Sequence, residues 1–184
     1  MMPPPSVRQV RAFLRQGGVI AYATESCYGL GCDPRQRGAV VRILKIKRRP
    51  WHKGLILIGS TLGQFQRFLA PLPDTLTACL ETWWPGPNTL LLPASSHCPT
   101  WLRGRHDKLA VRVTAHTGAH QLCQALDMAL VSTSANLSGK HPLKTAAACQ
   151  RAFGNDVLVL PGRVGRRKRP STILDPMSGG VFRR

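Results

Sequence analysis

Acidic side chains are the scarcest chemistry in this chain: eight Asp and Glu among 184 residues, against 26 Lys and Arg. A glycosidase sets two carboxylates across one cleft and a two-metal nuclease gathers several, whereas the two glutamates here, Glu25 and Glu81, stand far apart in sequence. Both classes are disfavoured. The six cysteines, at 27, 32, 79, 98, 123 and 149, form no CxxC pair and no HExxH occurs, so a structural zinc site is disfavoured and no metal ligands are expected. Cys79, Cys123 and Cys149 fall in helix-like stretches and are expected to be buried as small hydrophobes. No apolar run approaches the ~18 residues of a membrane span, and the amphipathic start does not resemble a leader. The expectation is a cytoplasmic protein with reduced thiols and no membrane partner. Aromatics make up 6%, sparse for the stacking surfaces that RNA-recognition domains use.

What is abundant is positive charge. A formal net charge of +18 favours free phosphates, nucleotides and nucleic acid over cationic substrates. A hydrophobic share of 43% suffices for a core, and the length suits one domain over 1–184.

Ser6 is placed to cap a helix whose apolar positions Val7, Val10, Phe13 and Leu14 keep helical spacing until Gly17 and Gly18. Strands are predicted over 19–24, 55–58, 89–92, 109–114, 129–134 and 157–160, with short ones near 171–174 and 180–182. Helices are predicted over 40–46, 61–69, 74–84, 118–127 and 145–153. Strands interleaved with helices imply a single α/β domain, a twisted sheet flanked by helices. Because some connections are too short for a crossover helix, the sheet should be mixed.

Ligands of such sheets sit in loops beyond strand ends. Four segments qualify: 24–29, 132–136, the helix-closing Lys47, Arg48 and Arg49, and 170–172. They offer hydroxyls, amides and cations with hardly an acid, a mixture suited to phosphate. The familiar nucleotide signatures are missing, since GxxxxGK[ST] is absent, the Gly29-Leu30-Gly31 stretch lacks the last glycine of GxGxxG, and no GxSxG elbow occurs. Each segment also has a plain structural reading: the basic cluster could answer a helix dipole, 132–136 could cap a helix, Thr24 could end its strand, and Tyr28 could be core. Arg112 is harder to explain so. It alternates with Val111 and Val113 on an interior strand, where a guanidinium is costly unless it meets water or an anion.

Taken in order, these segments resemble the YrdC-type threonylcarbamoyl-AMP synthase family over nearly the whole chain. Gly17 and Gly18 followed by Ala23-Thr24-Glu25-Ser26-Cys27-Tyr28-Gly29-Leu30-Gly31 resemble that family's GG…PTETxYGLG stretch. Lys47-Arg48-Arg49-Pro50 looks like its KxR(P), Trp84-Pro85-Gly86-Pro87 its WPGP, and Leu109-Ala110-Val111-Arg112-Val113 its (L/V)AVR. Ser134-Ala135-Asn136-Leu137-Ser138-Gly139 resembles the SxN motif, and Ser171-Thr172-Ile173 the late STI. Ala23, Ser26 and Asn88 depart from the usual proline, threonine and leucine. The length is similar to the short, single-domain bacterial form.

The resemblance implies a nucleotidyltransferase that builds threonylcarbamoyl-AMP from L-threonine, bicarbonate or CO2, and ATP, releasing pyrophosphate. The product serves N6-threonylcarbamoyladenosine formation in tRNA, with partner proteins performing the transfer. It implies catalytic roles for Lys47 and Arg49, and ATP or phosphate contacts from Lys47, Arg49, Ser132, Ser134, Asn136 and Ser171. Thr24 and Arg112 fall to threonine, and Mg2+ would arrive with ATP. The competing reading is a basic module that binds double-stranded or ribosomal RNA without catalysis, motivated by Arg163, Arg166, Arg167, Lys168 and Arg169. A carbamoyl-transfer domain of a hydrogenase-maturation protein would share the fold, but its zinc-finger and acylphosphatase-like segments are missing.

Overall fold

Local sequence starts the first helix. Ser6 Oγ accepts from the Gln9 N–H while the Gln9 side chain accepts from the Ser6 N–H, a capping box opening α1 (Val7–Arg15), whose buried stripe is Val10 and Leu14. The computed structural model describes residues 4–137 and 139–183; Ser138 of the SxN sequel lies outside the described residues. Among those described, the further helices are α2 (Arg37–Ile46), α3 (Asp74–Leu80), α4 (Thr100–Arg103), α5 (Thr117–Leu126) and α6 (Ala146–Phe153). The strands are β1 (Ile20–Ala23), β2 (Tyr28–Gly31), β3 (Ile56–Gly59), β4 (Asn88–Pro93), β5 (Lys108–Val113), β6 (Leu130–Ser134), β7 (Leu158–Val159), β8 (Thr172–Leu174) and β9 (Val181–Arg183). They form one sheet in the order β7-β1-β2-β6-β3-β5-β4-β8-β9. Pairs β1/β7, β3/β5 and β4/β8 are parallel and the rest antiparallel, so the sheet is mixed as the short connections require.

Several elements depart from expectation. Tyr28–Gly31 is a strand paired with β1, although 24–29 reads as a loop. Tyr28 and Leu30 are fully buried, and Gly31 is there for close approach: a Cβ would lie 2.7 Å from Val131 O. Residues 62–68 are 3-10 rather than α-helical, and α3 stops at Leu80. Beyond it the chain turns through Trp84, whose Nε1 donates to Asn88 O at 2.8 Å, so the WPGP segment anchors β4. Cys123 and Cys149 are buried as expected, but Cys79 is exposed because α3 buries Leu76 and Leu80 instead.

On one face of the central strands Leu57, Val111 and Val131 stand in register and pack in one cluster with Val40 and Ile43 of α2. On the other face Ile20, Tyr22, Ile58 and Leu130 pack with Val10 and Leu14 of α1 and Ala119 and Cys123 of α5. That cover reaches only part of the way. Two residues along the strands, Ser132, Ile56, Ala110 and Leu91 form the next row across β6, β3, β5 and β4, and this row floors an open cleft.

Candidate active site

The cleft encloses about 1260 Å³ and is lined by ten Lys and Arg side chains against two aspartates, Asp107 and Asp175. Single-ligand pockets are commonly about 300–1,000 Å³, so this open cleft is larger than one small ligand requires. The eight residues expected at a substrate line it: Thr24, Lys47, Arg49, Arg112, Ser132, Ser134, Asn136 and Ser171.

Lys47 and Arg49 reach it through the way α2 ends. Arg48 N–H donates to Lys45 O and Arg49 N–H to Leu44 O, a Schellman turn with Arg48 at φ 45°. That left-handed residue reverses the chain, leaving Lys47 buried, Arg49 half-buried and Arg48 exposed. The helix-dipole reading fails for Lys47. Its Nζ donates across the cleft to Ser134 O at 2.5 Å, Asn136 Oδ1 at 2.7 Å and Asn136 O at 3.2 Å. Asn136 Oδ1 also accepts from Ser134 Oγ at 2.6 Å, while Nδ2 donates to Lys140 O at 2.7 Å, so the amide staples its loop around the ammonium. Burial first, then the adjacent Arg49, pulls the Lys47 pKa down to about 8. Arg49 is braced by Gly54 O, 2.9 Å from Nη2, and burial lowers its pKa too.

The other end is set by Arg112. It stands in register with Ile58, at the seam between the helix-covered row and the open one. Its Nη2 lies 3.4 Å from Glu25 Oε2, and Glu25 Oε1 accepts from Thr114 Oγ1 at 2.7 Å. Arg112 Nε, Glu25 Oε2 and Tyr22 OH are buried without a hydrogen-bond partner. Thr24 Oγ1 donates to Cys27 O at 2.7 Å, closing the β1–β2 hairpin, and Thr24 lines the cleft. The basic segment 163–169 runs beside this hairpin as a strap: Gly165 N–H donates to Thr24 O and Arg167 N–H to Glu25 O. Gly165 is needed there, since a Cβ would lie 2.7 Å from Glu25 O. Tyr28 is core, its OH donating to Gly162 O at 2.9 Å.

Against this geometry, the family model covering Sua5, YciO and YrdC proteins, described as telomere recombination, matches residues 12–184. The chain belongs to the Sua5/YciO/YrdC family. A threonylcarbamoyl-AMP synthase of Chromobacterium violaceum is 56% identical over 176 residues, 96% of this chain and 91% of that protein. The structure of P. abyssi Sua5 complexed with L-threonine superposes with a TM-score of 0.82 at 31% identity, over 93% of this chain and 51% of that one. This chain thus spans about half of that protein. E. coli YciO superposes at 0.81 with 25% identity, over 98% of this chain and 91% of the other.

Within this family architecture, the structure adds residues that sequence reasoning passed over. Glu25 reads as one more residue of the loop after the first strand until the fold brings Arg112 and Thr114 to it. Arg183 lines the cleft from β9, where one cation among 26 gives no contrast in sequence. His116 and His120 stand four residues apart, a zinc-ligand spacing, but both rings are otherwise engaged. His116 Nδ1 accepts from Ala119 N–H, its Nε2 donates to Arg163 O at 2.9 Å, and His120 Nδ1 lies 3.2 Å from Thr114 O.

Proposed function

We infer that this chain is a threonylcarbamoyl-AMP synthase that joins L-threonine, bicarbonate or CO2, and ATP, releasing pyrophosphate, in service of tRNA modification. The observation that carries the reading is the convergence of Lys47, Arg49, Ser134, Asn136 and Arg112, from separate segments, on one cationic cleft larger than one small ligand requires. The 56% identity to a protein of that name, across nearly both lengths, supports the same assignment.

Threonine's carboxylate goes to Arg112 and its hydroxyl to Thr24. Its amine nitrogen attacks the carbon of CO2, a proton leaves, and the carbamate forms with Arg49 beside it. A carbamate oxygen then attacks the α-phosphorus of ATP as the bond to the bridging oxygen breaks and pyrophosphate departs. Negative charge gathers on phosphate and leaving group, which fixed Lys47 and Arg49 stabilise without reorganising. Ser132, Ser134 and Asn136 serve phosphate and sugar, with Ser171 on the phosphate side. Orienting two substrates accounts for much of the acceleration, an effect of several kcal/mol. Magnesium enters as part of the ATP substrate. Among the described residues no three His, Cys, Asp or Glu side chains are grouped to hold a metal, and Asp175 is engaged by Lys108 at 2.5 Å, so phosphate and water would complete its shell.

The product would pass to partner proteins that act on tRNA, and the exposed strap residues Arg163, Arg166, Lys168 and Arg169 favour direct contact with tRNA or double-stranded RNA as an added property. Among the described residues no helix is long and apolar enough to cross a membrane, and all six cysteines are free. We place the protein in the cytoplasm, one domain over 1–184. The deciding experiment is pyrophosphate release from ATP with and without L-threonine and bicarbonate. Release should need both, and equal release with serine or with no amino acid would remove the threonine assignment. Some serine use is tolerable, because one methyl contact is worth about 1–3 kcal/mol.

A further inference from the structure

Ten cations line the cleft and any of them would attract phosphate, yet the amino-acid end has to keep a place for a single carboxylate. The cations are not alike. Among the described residues Lys47, Arg49 and Arg183 meet only neutral oxygens, those of Ser134, Asn136, Lys53, Gly54 and Ser171. Lys108 is offset by Asp175, which lines the cleft with it. Arg112 is offset from behind: Glu25 Oε2 lies 3.4 Å from its Nη2, although Glu25 itself is not among the residues lining the cleft. The local chain holds that carboxylate firmly. Its Oε1 accepts from the hydroxyl of fully buried Thr114 at 2.7 Å, and because this hydroxyl accepts the His116 N–H at 3.2 Å, its own proton is left for Glu25. Arg167 N–H of the strap donates to Glu25 O.

Glu25 is the one anion that answers Arg112 among the described residues. Burial, the leading cause in each, raises the pKa of the nearby Tyr22 phenol and of the Cys27 and Cys123 thiols, so all three stay neutral near pH 7. Arg112 Nε and Glu25 Oε2 are buried without a hydrogen-bond partner, so the pair is electrostatic and the guanidinium does not spend its donors on Glu25. A fixed charge acts on a ligand in proportion to the ligand's own charge. Threonine is a zwitterion near neutral pH, so its net interaction with Glu25 is small, whereas a phosphate-like dianion is repelled. We propose that Glu25 is a positioning residue that sets specificity through Arg112, making the amino-acid end of the cleft accept a zwitterion's carboxylate and reject tetrahedral dianions. A built-in repulsion separates two ligands that one guanidinium attracts alike.

The proposal rests on threonine binding at Arg112, and its test keeps the two ideas apart. L-Threonine is titrated calorimetrically, without turnover, into wild type, Glu25→Gln and Glu25→Asp, each saturated with α,β-methylene-ATP. Every titration is run in chloride and in sulfate at equal ionic strength, so the loss of apparent threonine affinity measures sulfate at the amino-acid end. Glu25→Gln keeps the size of the side chain and an acceptor for Thr114 while removing the charge. It should tighten sulfate competition at least tenfold, with threonine affinity in chloride rising no more than twofold. Glu25→Asp restores the charge and should stay within threefold of wild type. A merely structural role would weaken both ligands together. Unchanged sulfate competition in Glu25→Gln, an equal gain for threonine and sulfate, or a folded variant that binds no threonine overturns the proposal. Melting reports which variants are folded. Should Glu25→Gln unfold, Thr114→Val, which frees the carboxylate from its hydroxyl, must tighten sulfate competition at least threefold, or the proposal falls. A wild type that neither binds nor turns over threonine removes the synthase reading and this proposal with it. An active wild type whose Glu25→Gln variant treats sulfate as wild type does removes this proposal alone.

Discussion

Two halves of one sheet face meet opposite fates. Ile58 and Leu130, with Ile20 and Tyr22, lie under α1 and α5, while Ile56, Ala110 and Ser132, two residues further along the same strands, floor the cleft. Backbone geometry does not distinguish them; the side chains do. Large apolar groups at the covered end gain about 25 cal/mol per Å² when two amphipathic helices close over them. At the open end the neighbours are Lys47, Arg49 and Arg183, and closing a layer there would strip water from three charges. Arg112 sits on the seam and is tolerated because Glu25 offsets it. The face is a core where the chain supplies hydrocarbon and a site where it supplies cations.

The largest effects should fall on opposite sides of that seam and differ in kind. Lys47→Ala and Arg49→Ala should each lower turnover at least tenfold, about 1.4 kcal/mol or more of barrier, with melting shifted by only a few degrees. Ile58→Ala should cost about 2–5 kcal/mol of stability while the protein that remains folded keeps its KM values. Steady-state kinetics and thermal melts on the three variants read both quantities. A stable, inactive Ile58→Ala or an active, unfolding Lys47→Ala would erase the distinction between the halves.

The cleft half was more legible in sequence than the fold details around it. Thr24, Lys47, Ser134, Asn136 and Ser171 stand where strands or a helix end, and in an α/β sheet those ends gather, so picking loop residues picked out one place. Arg112 betrayed itself as a charge between Val111 and Val113. β2 was hidden because Gly29 and Gly31 look like turn residues, when Gly31 is required by the approach of β6. α4, four residues long, is too short for periodicity to register. Glu25 and Arg183 depend on strand register, since their partners Arg112, Thr114 and Ser171 are distant in sequence.

The strap tests whether positive charge outside the cleft has its own work. Replacing Arg166, Arg167, Lys168 and Arg169 by glutamine should flatten the salt dependence of tRNA binding by about one unit of log–log slope for each phosphate that is no longer neutralised, with little sequence preference throughout. The ATP KM should change less, because of these four only Lys168 lines the cleft. A raised ATP KM with an unchanged salt slope would instead make the strap a lid, and no change in either would discard both roles.

A smaller effect sharpens the cleft side. Lys47 titrates near 8 in the folded protein against 10.5 when free, so between these values the unfolded chain holds the extra proton. The stability penalty of burying this ammonium is therefore full below about pH 8 and fades as pH rises towards 10.5. Bound phosphate should raise the pKa again. ATP binding at pH 8.5 should thus take up a fraction of a proton, and the ATP KM should climb several-fold between pH 8 and 9. Calorimetry in two buffers of different ionisation enthalpy measures the uptake, and Lys47→Arg should abolish it; zero uptake by wild type would show that Lys47 stays charged throughout.

The smallest effect concerns Arg48, which stands between the two cleft cations yet is exposed. Its φ of 45° places a side chain where a Cβ crowds the following carbonyl, a strain of roughly 1–2 kcal/mol for a non-glycine residue. Glycine relieves that strain at the helix-terminating position but adds freedom to the unfolded chain. The net for Arg48→Gly should be a gain of about 0.5–1 kcal/mol, or roughly 2 °C in melting temperature for a domain of this size. Because Lys47 and Arg49 are aimed by the Schellman hydrogen bonds rather than by the Arg48 side chain, the ATP KM should move less than twofold. A melting temperature that falls would mean the Arg48 side chain contributes more than its strain removes, and a KM that rises severalfold would enlarge the functional half of the face to include its exposed rim.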